Sequence, residues 1–106
     1  MPRKALENLT ESMLYVLMVL GTAPMCGIEI ADSIDTLTQG RLQPGPATLY
    51  TILGKFQQVG YIREVEVAGR KRTYAITSAG QQAYDQEVLR LQQCLQDAER
   101  IREAKR

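Results

Sequence analysis

Residues 42–62 read LQPGPATLYTILGKFQQVGYI, and this stretch decides the fold. Pro44 and Gly45 hold a turn, and Gly45 suits the N-cap of a helix. Pro46 suits the first helical position, because its missing N–H would be unpaired there anyway. Leu49, Ile52, Leu53, Phe56 and Val59 then recur at helical spacing and give one apolar face. Gly60 supplies the stop, since glycine tolerates the left-handed conformation that ends many helices. The opposite face carries Ala47, Thr51, Gly54, Lys55 and Gln58, with no acid among them. An ordinary solvated face usually carries acids as well. This raises the question of whether the helix lies in the major groove of DNA.

Upstream of this stretch the pattern predicts two more short helices. The first begins near Asn8 or Thr10, with Glu11 in its first turn, where the helix dipole favours an acid. Leu9, Met13, Val16, Leu17 and Leu20 form its inward stripe, and Gly21 ends it. The second runs from about Met25 to Thr38, with Ile30, Ile34 and Leu37 facing the core and Gln39-Gly40-Arg41 breaking it. Residues Met1–Ala5 read as a short lead, in which Arg3 and Lys4 are candidates for a phosphate-binding arm.

Downstream, the period changes from helical to alternating. Val65 and Val67 alternate with Glu64 and Glu66, and Tyr74 and Ile76 with Thr73 and Ala75, as half-buried strands do. Ala68-Gly69 lies at the tip of the resulting hairpin, and Arg70, Lys71 and Arg72 make that end basic. Three helices followed by a hairpin is the order of a winged helix-turn-helix, a mainly α fold. A last helix starts at Thr77 or Ser78, with Ser78 and Gln81 as a capping box, and runs to about Arg102. Tyr84, Val88, Leu91, Leu95 and Ala98 alternate steps of four and three along it, the seam of a helix that packs on a partner helix. The expected division is a DNA-binding domain over residues 1–76 and a dimerisation helix over residues 77–106.

Charge supports this organisation where the net value of +1 does not. From Ala5 to Thr38 every ionised side chain is acidic: Glu7, Glu11, Glu29, Asp32 and Asp35. From Gln39 to Ile76 the basic residues Arg41, Lys55, Arg63, Arg70, Lys71 and Arg72 outnumber Glu64 and Glu66. A basic patch confined to one helix and one neighbouring turn points to nucleic acid more strongly than the total does.

Composition removes most other function classes. The chain has 106 residues, 44% of them apolar, which suits one compact domain. It has no histidine, which removes imidazole metal sites, the common catalytic triads and the usual general base. Gly54-Lys55 is no phosphate-binding loop, because Leu49 stands where a glycine is needed and Phe56 where a hydroxyl is needed. No enzyme activity, metal or cofactor is expected. Cys26 and Cys94 lie far apart in sequence and read as reduced and at least half-buried. No apolar run spans a bilayer, and MPRKALENLTES lacks the apolar core of a secretory signal, so a cytoplasmic protein is expected.

The candidate DNA-binding residues divide by role. Ala47, Thr48 and Thr51 sit at the helix end that a helix-turn-helix presents to base edges. Tyr50 and Lys55 are placed to hold phosphates, and Arg70, Lys71 and Arg72 to contact phosphate or the minor groove. The alternative is a winged-helix module whose third helix docks on another protein. A small-molecule effector at the dimer interface is compatible with the DNA reading.

At this point the sequence resembles a known family. LTESMLYVLMVLGTAPMCGIEI, GPATLYTILGKFQQVGYI and GRKRTYAIT are similar to the PadR-like transcriptional regulators over roughly Leu9–Gly80. The most specific parts are Pro24-Met25 with Gly27, Thr48-Leu49-Tyr50, Gly60 with Ile62, and Gly69-Arg70 leading to Tyr74. The single last helix looks like the short subfamily. The resemblance implies a bacterial or archaeal cytosolic repressor on a palindromic operator. It further implies a homodimer whose last helix packs against the partner's first and last helices. It also supports phosphate contact by Tyr50 and DNA contact by the wing. The sequence departs from the pattern at Cys26, where histidine or serine is common, at Ile28, where an aromatic is common, and at Thr73, where a second tyrosine is common. Multidrug-sensing members place a tryptophan where Leu91 aligns; this chain has no tryptophan, so that mode of ligand binding is not expected.

Overall fold

A computed structural model describes residues 8–105. The lead Met1–Ala5, with Arg3 and Lys4, lies outside the described residues. The order is α1 (Glu11–Leu20), β1 (Met25–Cys26), α2 (Gly27–Thr38), α3 (Pro46–Val59), β2 (Ile62–Ala68), β3 (Lys71–Ile76) and α4 (Ser78–Ala104). This is the winged helix-turn-helix with a long last helix that the patterning predicts.

Each helix start has an identifiable cause. Thr10 caps α1, its hydroxyl accepting from the Met13 N–H at 3.2 Å. Gly45 is the N-cap of α3 with Pro46 in the first turn, and Gly60 ends that helix at φ 81. Core packing then fixes the direction of α3. Leu49, Ile52, Leu53 and Phe56 are buried beside Val16, Leu17, Ile30 and Ile34 of the first two helices.

The second helix departs from its expected bounds. It begins at Gly27, because Met25 and Cys26 form a short strand antiparallel to β3, with Met25 opposite Tyr74 and Cys26 opposite Thr73. Cys26 is extended and caps the helix, while Glu29 Oε1 accepts from the Cys26 N–H at 3.0 Å. The strand order is therefore β1-β3-β2. Leu37 is also not in the core, being 54% exposed. Thr38 takes the inward place in that last turn: its hydroxyl donates to the Ile34 carbonyl at 2.8 Å and accepts from the Leu42 N–H at 3.1 Å. The helix ends at Gln39, whose φ of 53 is left-handed.

The hairpin turns at Gly69-Arg70, one residue beyond the expected tip. Only its base touches the core, through Ile62, Tyr74 and Ile76. Val65 and Val67, expected to be half-buried, are exposed, and a bulge between Glu64 and Glu66 leaves Val65 out of register. β2 is an edge strand, and beyond Ile62 every one of its residues is exposed. The alternation there marks a projecting wing and not a core strand.

Helix α4 is capped by Thr77, not by the expected Ser78–Gln81 box. The Thr77 hydroxyl accepts from the Gly80 N–H at 3.1 Å and donates to the Gly60 carbonyl at 2.6 Å, tying the end of α3 to the start of α4. The Thr77 N–H donates to the Tyr61 carbonyl at 2.9 Å, and a side chain at Gly80 would collide with that same carbonyl. The start of α4 is therefore locked onto the domain, where the helix packs on α1. Its outer half extends away, and the helix continues past its expected end near Arg102 to Ala104.

Candidate nucleic-acid interface

The exposed face of α3 carries Pro46, Ala47, Thr48, Tyr50, Thr51, Gly54, Lys55, Gln57 and Gln58. No carboxylate interrupts it. The Thr51 hydroxyl donates to the Ala47 carbonyl one turn back, at 2.9 Å. Tyr50 is 68% exposed, too much for a tyrosine that merely packs. A methyl group added at Gly54 would meet no packed neighbour among the described residues within 4 Å, so none of them requires a glycine there.

Tyr50 shares a site with the wing. It lines one open groove of about 530 Å³ together with Ile28 of α2, Arg70, Lys71 and Arg72 of the wing, and Tyr74. The short strand β1 makes this arrangement possible, because it fastens the start of α2 to β3. Burial pushes the Tyr74 hydroxyl above the usual phenol range. Lys55, in a later turn of α3, lies outside this groove, as do Ala47, Thr48 and Thr51.

The basic groups of the site differ in what holds them. Lys71 Nζ lies 4.0 Å from Glu29 Oε1, and Arg72 Nη1 lies 3.5 Å from Glu64 Oε1. The Cys26 N–H and the nearby Lys71 hold the Glu29 carboxyl below its ordinary range. Both pairs are exposed to solvent and therefore weak. Arg70 and Lys55 pair with no acid among the described residues. Arg41 belongs to a different surface: it bonds Glu11 at 3.1 Å and the Tyr15 hydroxyl at 3.1 Å, with its guanidinium 5.7 Å from the Tyr15 ring centre.

Along α4 the expected seam splits in two. Tyr84 packs against the chain's own core and Val88 is half-buried, whereas Leu91, Leu95 and Ala98 are exposed. Leu89 and Ile101 are exposed there too. Within the covered part, between Tyr84 and Val88, lies Glu87, which the heptad spacing does not reveal. It is buried, and Arg90 grips its carboxylate with two bonds of 2.8 Å, holding it below the usual carboxylate range. Cys26 is buried as expected, but Cys94 is exposed, because none of the described residues covers the outer half of α4. Among the described residues no cluster of acids and cysteines is placed to hold a metal, and no helix is long and apolar enough to cross a membrane.

Known proteins resemble the chain in sequence and in fold. The chain is 33% identical over 72 residues to the transcriptional regulator YqjI of Escherichia coli K12, covering 68% of this chain and 35% of that protein. The curated relatives it matches are longer, and the matched part spans 22% to 35% of their length. A transcriptional regulator from Clostridium thermocellum superposes with a TM-score of 0.75 at 23% identity, over 85% of this chain and 90% of that one. A PadR family transcription regulator from hypervirulent Clostridium difficile superposes with a TM-score of 0.74 at 12% identity, over 87% of this chain and 98% of that one. Residues 16–86 match the family described as "Transcriptional regulator PadR-like family". That match spans both upstream helices from Val16, the third helix, the wing and the start of α4, so the chain belongs to the PadR-like family of transcriptional regulators.

Proposed function

We propose that the protein is a repressor that binds a palindromic operator as a homodimer. In this reading residues 1–76 form the DNA-binding domain and residues 77–106 the dimerisation helix. Ala47, Thr48 and Thr51 meet base edges, Tyr50 and Lys55 hold phosphates, and Arg70, Lys71 and Arg72 grip the backbone beside them. The observation that carries it is the groove in which exposed Tyr50 and the basic wing meet beside an acid-free helix face. A reading helix and a phosphate clamp need that adjacency, whereas a solvated surface does not.

Dimerisation is supported by the exposed leucines of α4. Leu91 and Leu95 continue the stripe that Tyr84 and Val88 begin, beyond the reach of the chain's own core. Two-fold symmetry would present two copies of α3 to two half-sites, hence the palindrome. The cytoplasm is the expected place of action, because the DNA is there. A small-molecule effector at the dimer interface would show itself by releasing the duplex.

Mobility shift with the DNA upstream of the protein's own coding sequence tests the proposal. Salt-sensitive binding of two protomers per site is expected, and Thr51→Ala should alter the preferred sequence. The rival protein-docking module would bind no duplex in a salt-sensitive way.

A further inference from the structure

The reading end of α3 is unusual in what it lacks. Its exposed side chains in the first two turns are Pro46, Ala47, Thr48, Tyr50 and Thr51. Guanine presents two acceptors in the major groove and is read by arginine or lysine; adenine is read by the amide of asparagine or glutamine. None of those residue types stands there. Thr51 cannot substitute for them, because its hydroxyl proton is already given to the Ala47 carbonyl at 2.9 Å. What Thr51 leaves to a neighbour is a methyl group and an acceptor oxygen. The methyl of Ala47 lies one turn back on the same face. Gly54, on the next turn, adds no side chain, and the space above it is open. The helix can therefore come close enough for methyl groups to touch a base.

Thymine is the base that carries a methyl group into the major groove, and alanine and threonine methyls are its apolar partners. We infer that Ala47 and Thr51 read thymine methyl groups, so that each half-site is specified by a T·A pair under α3. This rests on the DNA-binding reading above and adds the base class to it. Thr48 and Tyr50 lie to either side of the line from Ala47 to Thr51, and Tyr50 faces the wing groove.

The test uses a duplex selected from a random library by the wild-type protein. Each thymidine of the recovered site is replaced in turn by deoxyuridine, which differs by the one methyl. At one or more positions per half-site, wild type should bind the deoxyuridine duplex about three- to fivefold more weakly, the effect of one buried methyl. Thr51→Ser keeps the hydroxyl and drops the methyl, and should bind the two duplexes equally at one of those positions. Thr51→Val keeps a methyl without the hydroxyl, and should restore the difference. Equal affinity for thymidine and deoxyuridine at every position, with salt-sensitive selective binding intact, overturns the methyl reading alone. Failure to select any duplex overturns it together with the DNA-binding proposal.

Discussion

Helices α3 and α4 are both amphipathic, and they are completed in different ways. The apolar face of α3 is covered by its own chain: Leu49, Ile52, Leu53 and Phe56 are all at most 5% exposed. Its direction is fixed before any other molecule arrives, and its polar face is free to act. The apolar residues of outer α4 have no such cover, with Leu89, Leu91, Leu95 and Ile101 between 41% and 66% exposed. One helix is positioned by the fold, and the outer half of the other is left exposed by it. The same contrast appears in their glycines. Gly80 is required by the fold, since a Cβ there meets the Tyr61 carbonyl, whereas no packing among the described residues requires Gly54.

The largest effect that would sharpen this contrast comes from the seam. Replacing Leu91 and Leu95 together by glutamate removes two side chains each worth about 1.5–3 kcal/mol when buried. The dimer should weaken by more than about 100-fold, read by sedimentation, with the helical signal of the monomer retained. A persistent dimer would show that α4 is not the seam. Next comes Gly80→Ala, which forces the start of α4 off the Tyr61 carbonyl. Denaturant unfolding should show a loss of about 3 kcal/mol. An unchanged midpoint would break the claim that this contact locks α4 to the domain.

Smaller effects belong to the DNA-facing side. Lys55→Ala and Arg70→Ala should each weaken binding to all duplexes alike and flatten the salt dependence by about one unit per protomer. Stability should not move, because neither residue pairs with an acid in the described structure. If either variant left both affinity and salt slope untouched, that residue would not hold a phosphate. The smallest change is Gly54→Ala. It should stabilise the fold by up to about 1 kcal/mol, the helix preference of alanine over glycine. It should also weaken duplex binding if the backbone approaches DNA closely. A stabilised protein with unchanged affinity would separate the glycine from recognition.

Much of this was legible in the sequence, for local reasons. Pro46 and Gly60 mark the ends of α3, and the spacing of Leu49, Ile52, Leu53 and Phe56 marks its buried face. Those signals act within a turn or two of helix. What escaped depends on contacts between distant residues. Met25 and Cys26 read as helix, and only pairing with Thr73 and Tyr74 makes them a strand. The links of Lys71 to Glu29 and of Thr77 to Gly60 likewise join separate elements. Val65 and Val67 alternate correctly, but periodicity cannot say whether anything lies across from them. Leu37 failed for a related reason: Thr38 closes that turn with two hydrogen bonds and takes the inward place. The candidate DNA-binding residues were found from side-chain chemistry and helix order. The groove that unites Tyr50 with the wing was not visible until β1 was in place.

The central claim is that α3 and the wing act together on one duplex. Fluorescence anisotropy with the selected duplex and a scrambled one, across a salt series, measures it for wild type, Tyr50→Phe, Arg70→Ala and the double variant. Tight binding to the selected duplex that falls steeply with salt is expected. The two single variants should lose affinity less than additively when combined, as groups sharing one site do. Salt-insensitive binding, or equal affinity for both duplexes, would contradict the account.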